Sequence, residues 1–379
     1  MSRLAATLVG FFRPSREFSS ITGQVAYAAA NLRRTFRVHL PLYILTIGYV
    51  AASLLLLSWY GQRFDPRACY LFLRLVAIVA IFWLLTLATW DVVQLWRSGA
   101  PTGLTNLLLE RMIRRLSKGD RLGNSFHALM ILPTMIVAFT AVKQIIPLIQ
   151  PFSWDQTFAR WDQIIGFGRM PWQILQAVLG YPAITVALNF VYDAWFLLMF
   201  AFLIGFGFSA RSNVLRLQFL IAFCCAWIFP GTLCAIAFSS AGPCYYAYLY
   251  HGISPYSAQM SYLHGIGANF VWSLAIQDDL WRSYKTGVGA FNGISAMPSL
   301  HVVVAVLLAL AGSRINRKLG VALWILAGLI VLGSVHLAWH YAVDGLAGVL
   351  LALVCWWAGG YAARNWCGLP AEERSIEPR

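Results

Sequence analysis

The chain has 379 residues, of which 60% are hydrophobic and 11% charged, with a formal net charge of +14. A soluble globular domain carries about 25% charged residues, so this composition excludes one: too few polar side chains exist to cover a surface in water. The Lys and Arg residues stand in blocks between apolar runs, a pattern that orients a chain in a membrane and attracts anionic lipid heads, and no nucleic acid partner is expected.

Residues 1–39 are basic, with Arg3, Arg13, Arg16, Arg33, Arg34 and Arg37 ahead of any long apolar run. A cleaved signal peptide needs its apolar region sooner, so this end is expected to stay attached and inside. A membrane span needs about 20 residues at 1.5 Å per residue. Eight stretches qualify: 40–60, 69–96, 125–149, 181–206, 217–240, 297–312, 319–337 and 341–362. The second is long enough to tilt, the sixth is short, and 171–210 has room for two short helices. The fold class predicted is all-α, a polytopic membrane helix bundle of about eight transmembrane helices. Sixteen Trp, sixteen Tyr and 24 Phe suit a protein with two interfacial aromatic belts.

The charge distribution tests that layout. With the amino terminus inside, segments 1–39, 97–124, 207–216, 313–318 and 363–379 carry 20 Lys and Arg, against 6 in 61–68, 150–180 and 241–296. This asymmetry favours an even number of crossings with both termini cytoplasmic. Arg74 and Lys143 fall within spans, where they could snorkel or pair inside the bundle.

Two outer segments stand apart. The stretch 152–172 alternates aromatic and charged residues and ends near Pro171, as an amphipathic helix lying in the interface would. Segment 241–296 holds His251, His264, Asp278, Asp279, Arg282 and Lys285, and reads as a roof over a substrate or as a lid of surface loops. The tail 363–379 is polar. The seven cysteines include no CxxC pair, so most are small packed side chains.

Polar groups at membrane depth are expensive and mark function. Met297-Pro298-Ser299-Leu300-His301 stands where the outer loop meets the sixth span; His336, His340 and Asp344 stand between the seventh and eighth. The layout brings both groups to one outer level. Pro298 suits the first turn of a helix, leaving Ser299 and His301 near its positive end, where backbone N–H groups meet phosphate oxygens. His340 and Asp344 are at i,i+4, the spacing of one helical face, so the aspartate can hold the imidazole in one tautomer. His340 is then a nucleophile on phosphorus and His301 the general acid and base. Ser299, Arg282 and Lys285 are the nearby candidates to neutralise phosphoryl oxygens. The competing chemistry is a zinc site of His301, His336, His340 and Asp344, but the glutamate of HExxH is absent. No cofactor and no metal are expected.

GISAMPSLH at 293–301 and GSVHLAWHYAVD at 333–344 resemble the second and third signatures of the type 2 phosphatidic acid phosphatase (PAP2) superfamily, and more narrowly its inositol phosphorylceramide synthase-like branch. The superfamily patterns are PSGH and SRxxxxxHxxxD. Here Leu300 replaces the glycine, and Gly333 and Ser334 occupy the Ser-Arg positions. The resemblance implies His340 as nucleophile, Asp344 as its orienting acid and His301 as acid and base, in a six-span catalytic core over 125–362. Residues 40–124 then form two extra spans and a basic cytoplasmic loop. No KxxxxxxRP motif is found, so Arg282, Lys285 and Arg169 are the candidate replacement clamps, and GPCYY at 242–246 looks like an element of the synthase-like branch.

The function expected is a membrane lipid phosphotransferase. It would move a phospho-headgroup from a phospholipid or lipid-phosphate donor to a lipid or sugar hydroxyl through a phosphohistidine. Its alternative is a phosphatase of lipid phosphates or isoprenyl diphosphates that uses water; a transporter is less favoured. The partners are membrane lipids, and the location expected is a bacterial inner membrane, with the site at the periplasmic face.

Overall fold

The computed structural model describes residues 21–63, 66–97, 99, 104–250, 254–287 and 293–366. Among the described residues there are helices and turns but no strand. His251 and the tail from 367 onward, both noted in the sequence, lie outside them.

The first helix among the described residues, α1, runs unbroken over Ile21–Trp59, so no helix break separates the basic residues it contains from the apolar span. It lies along α4 (Arg121–Ile149), where Asn31 Oδ1 accepts the Gly123 N–H at 2.8 Å and Tyr43 Oη meets His127 Nδ1 at 2.9 Å. Between them come α2 (Pro66–Arg97) and α3 (Leu104–Leu116). The end of α2 is tied to α3 by Asp91, which pairs with Arg115 at 2.6 Å. Leu73, Ile78, Ile81, Phe82 and Leu85 of α2 are exposed, as lipid-facing side chains are.

The undecided stretch 171–210 resolves into one short helix and one span. Segment 152–172 forms α5 (Asp155–Ile165), α6 follows over Pro171–Leu179, and α7 is the span Pro182–Gly207. Next, α8 (Val214–Ile228) continues through a π turn at Phe229–Cys234, where Pro230 has no N–H to give a regular ladder. The loop region carries α9 (Ser257–Ile266) and α10 (Trp272–Thr286). The last three helices are α11 (Leu300–Ile315), α12 (Arg317–His336) and α13 (Ala342–Trp366).

Seven of these helices are long and apolar enough to cross a membrane, and α11 is an apolar helix of 16 residues. The chain is an integral membrane protein built as a polytopic helical bundle. α11 lies inside the bundle: Val302 to Leu308 are each at most 2% exposed. A helix apolar on every side belongs inside the protein, and α11 is sheathed by its neighbours. Gly348 lets α13 come close, since a Cβ there would meet the Ser299 carbonyl at 2.9 Å; Gly312 does the same for Leu323 of α12. Because α11 and α12 are joined by Asn316 alone, the start of α11 and the end of α12 lie at one end of the bundle.

Candidate functional site

The histidine-bearing loop begins where α12 stops. The N–H groups of Trp339 and His340 both donate to the Ser334 carbonyl at 3.0 Å, and Ala338 takes φ +60°. The pair of hydrogen bonds to one acceptor curls the chain out of the helix, which resumes only at Ala342. His340 and Asp344 therefore do not share a helical face, as the i,i+4 spacing suggests. His340 stands in the loop, and Asp344 in the first turn of α13.

The consequence is chemical. His340 Nδ1 lies 2.8 Å from the Ala296 carbonyl and 3.4 Å from Asp344 Oδ2. A carbonyl only accepts, so Nδ1 carries the proton and Nε2 keeps the lone pair. Asp344 is fully buried, and its Oδ2 accepts the Tyr341 N–H at 2.9 Å. Burial pulls the His340 imidazole down to about 4, against the opposing effect of the hydrogen bond it donates to the Ala296 carbonyl, so the ring is neutral at neutral pH.

The other histidine is the second residue of α11. Ser299 caps that helix from an extended conformation, and Pro298 lies before it rather than in its first turn. The Ser299 N–H donates to the Asp344 carbonyl at 3.1 Å, which couples the two motifs through the backbone. The His301 and His340 rings stand 5.9 Å apart, centroid to centroid, edge to face. His301 is also stacked on Tyr192 and edge-on to Trp195, both from α7.

The scaffold of this loop comes from α5. Asp155 is fully buried and accepts the N–H groups of Ala241 and Gly242 at 3.0 and 2.8 Å and the Tyr341 hydroxyl at 2.8 Å. Two turns on, Asp162 accepts the N–H groups of Ala342 and Val343 at 2.9 and 3.0 Å, closing the N-terminus of α13. Burial pushes the Asp162 carboxyl up to about 7, with those two bonds opposing the rise. The adjoining strip 239–242 carries the Ala296 segment, since Ser240 O accepts the Ala296 N–H at 2.9 Å. Gly242, at φ +106°, sits so close to Trp339 that a Cβ would meet its carbonyl at 2.6 Å. The alternation in 152–172 signals an amphipathic helix but not that its acids turn inward onto this loop.

His336 is held elsewhere: its Nε2 meets Thr185 Oγ1 at 2.8 Å, and its carbonyl accepts from Gln259. Arg282 is exposed and pairs with Asp279 at 3.2 Å, while the Lys285 ammonium lies 5.2 Å from the centre of the Trp281 ring. Arg169 is exposed after α5. Among the described residues none of these three touches either histidine. Lys143 of α4, set aside in the sequence as one of two cations in spans, stands near enough to act on the charge of both His301 and His340. Its stem abuts Gly293, where a Cβ would meet the Lys143 carbonyl at 2.7 Å and its Cγ at 2.8 Å. The signal that finds it is spacing: Lys143 is followed after six residues by Gln150-Pro151, the KxxxxxxRP pattern with glutamine for arginine. Among the described residues no cluster of three or more His, Cys, Asp or Glu is arranged to hold a metal ion.

A family model described as PAP2 superfamily matches residues 156–358, taking in both histidine motifs and most of α5. No curated protein and no solved structure shows significant similarity to the chain.

Proposed function

Because this chain belongs to the PAP2 superfamily, whose phosphatases and phosphotransferases act on lipid phosphates, we propose that it is a membrane lipid phosphotransferase working through a phosphohistidine. His340 Nε2 attacks phosphorus, the N–P bond forms and the bond to the leaving oxygen breaks, with His301, protonated as the anionic phosphate binds, giving that oxygen a proton. An acceptor hydroxyl then loses its proton to His301 and attacks phosphorus, and the N–P bond breaks. The observation that carries this reading is the Ala296 carbonyl on His340 Nδ1, which leaves Nε2 free beside His301.

Lys143 is proposed as the phosphate clamp, with Ser299, whose buried hydroxyl has no partner. Arg282, Lys285 and Arg169 are proposed to draw anionic headgroups toward the site from exposed positions. The donor is a phospholipid or lipid phosphate and the acceptor a lipid or sugar hydroxyl, with hydrolysis as the limit when water replaces it. A bacterial inner membrane, with cytoplasmic termini and a periplasmic site, is the proposed setting, supported by the Lys/Arg asymmetry.

The test is a trap. Labelled phosphatidic acid given to the purified chain should leave acid-labile, base-stable phosphate on His340, mapped by mass spectrometry. Label on His301, or full turnover by folded His340→Ala, overturns the assignment. Transfer is separated from hydrolysis by acceptor dependence: a transferase consumes little donor until acceptor is added, and then makes a phosphomonoester of the acceptor from phosphatidic acid or a new phosphodiester from a phospholipid donor.

A further inference from the structure

Around the histidine pair the bundle leaves hydrogen-bonding capacity unused. Tyr192 Oη, Trp195 Nε1, Ser299 Oγ and Asp344 Oδ1 are buried without a hydrogen-bond partner. Such atoms are rare in folded proteins and call for a reason, an absent ligand among them. Nearby phenols are satisfied internally: Tyr341 donates to Asp155, and Tyr245 to the Gln277 carbonyl. Tyr256 also lacks a partner, but no ring contact joins it to either histidine.

Tyr192 is different in position. It is 2% exposed, and its ring lies nearly flat on His301, with centroids 4.7 Å apart and planes 20° apart. Trp195, three residues on along the same face of α7, meets His301 edge-on at 5.1 Å. The ring is admitted by Gly333: a Cβ there would press on Tyr192 Cδ2 at 3.3 Å. That glycine stands where the third signature has its serine, in the Ser-Arg pair whose arginine is also missing here. The same departure that removes a phosphate-binding cation thus makes room for a phenol beside the general acid.

Resting on the phosphoryl-transfer reading above, we propose that Tyr192 is a catalytic residue whose hydroxyl donates a hydrogen bond to a non-bridging oxygen of the phosphoryl group as it passes to and from His340. Negative charge on those oxygens has to be met by fixed donors in a site shielded from water. A phenol pinned by stacking is pre-aimed and is already stripped of water, so it has no hydrogen bond to give up when the substrate arrives. Nothing is transferred to or from the tyrosine; its proton stays on oxygen throughout.

Tyr192→Phe isolates the hydroxyl, since phenylalanine keeps the stack on His301. Two quantities are read on the full chain in lipid nanodiscs: the initial rate of phosphoenzyme formation from labelled phosphatidic acid, and the affinity for orthovanadate, which mimics the transferred group. The expected result is a rate lower by about 100-fold, as for loss of one oxyanion donor, with KM within about three-fold. Vanadate affinity should fall by about ten-fold or more, and the melting temperature should stay that of the parent. A Tyr192→Phe protein within about two-fold of the parent in both rate and vanadate affinity overturns the proposal, because a packing role is all that then remains. If the parent itself forms no phosphoenzyme and binds no vanadate, the phosphoryl-transfer reading falls and Tyr192 with it. If the parent does both and the variant matches it, only Tyr192 is reassigned.

Discussion

His340 and Ala296, 44 residues apart, are joined by a single bond from imidazole Nδ1 to backbone carbonyl at 2.8 Å. The group that orients the proposed nucleophile is therefore a peptide oxygen, and Asp344 at 3.4 Å supports it from the side. Asp344→Asn keeps an acceptor for the Tyr341 N–H and should fold normally, with kcat lowered by about 10- to 100-fold, about 1.4–2.7 kcal/mol of barrier. Asp344→Ala leaves that N–H buried and unpaired, at a cost of about 1–3 kcal/mol in stability. Steady-state kinetics with thermal unfolding of both variants separates the two effects. Equal losses of activity and stability in the Asn and Ala variants would count against a supporting role.

Asp155 should behave as the keystone between α5 and the loop. Asp155→Asn puts an amide where two backbone N–H groups and the Tyr341 hydroxyl all donate, so one amide half meets donors with donors. The expected cost is about 1–3 kcal/mol in stability, with a fall in turnover because Ser240, Ala296 and His340 follow one another from it. Tyr341→Phe removes one of the same bonds. In a double-mutant cycle the two changes should be sub-additive by at least about 0.5 kcal/mol; simple additivity would show the contact to be idle.

The pH response follows from the burial of His340. Its folded value of about 4 lies below the ordinary 6.5. Between those values the unfolded chain binds the proton and the folded one does not, so this residue's contribution lowers stability as pH falls from about 6.5 toward 4. The proposed nucleophile stays neutral over the same window. The rate of phosphoenzyme formation should hold its acid limb near pH 4 to 5, measured in single turnovers on protein shown to be folded at each pH. A limb centred at 6.5 would contradict the buried, neutral ring.

Lys143 and the cations of α10 make opposite predictions. Lys143→Met should lower phosphoenzyme formation by about 100-fold or more, the loss of a charge aimed at the phosphoryl oxygens. Arg282→Ala and Lys285→Ala are exposed changes and should each stay within about five-fold, showing mainly as a raised KM at low ionic strength. A kcat collapse in either α10 variant, with Lys143→Met near normal, would exchange the assignments.

Orientation is tested by single reporter cysteines at Ser117 and Ser257 in a background with its native cysteines replaced. An impermeant thiol reagent should label Ser257→Cys from the outer side and Ser117→Cys only from the cytoplasmic side. Labelling of both from one side would dismantle the proposed orientation.

Membrane location and the eight apolar stretches were legible in the sequence because hydropathy is additive along a chain: α4, α7, α8, α12 and α13 fall within a few residues of where apolar length puts them. That His301 and His340 lie at one level was legible because α11 and α12 are consecutive apolar helices, whose facing ends share a level wherever their exact bounds lie. Other features depend on residues far apart in sequence and were decided only by the tertiary structure. Amphipathic spacing says that α5 has two faces, but not that Asp155 and Asp162 turn toward residues 241 and 342. The i,i+4 spacing of His340 and Asp344 implies a shared helical face, which the Ser334 carbonyl abolishes by taking two N–H groups. Lys143 looks like any cation in a span until Gly293 brings the 293–301 segment against it, and Tyr192 like any interior tyrosine until its ring lies on His301. Composition and periodicity determine which segments leave water; which polar groups then meet is set by packing, because each must find its partner across the bundle.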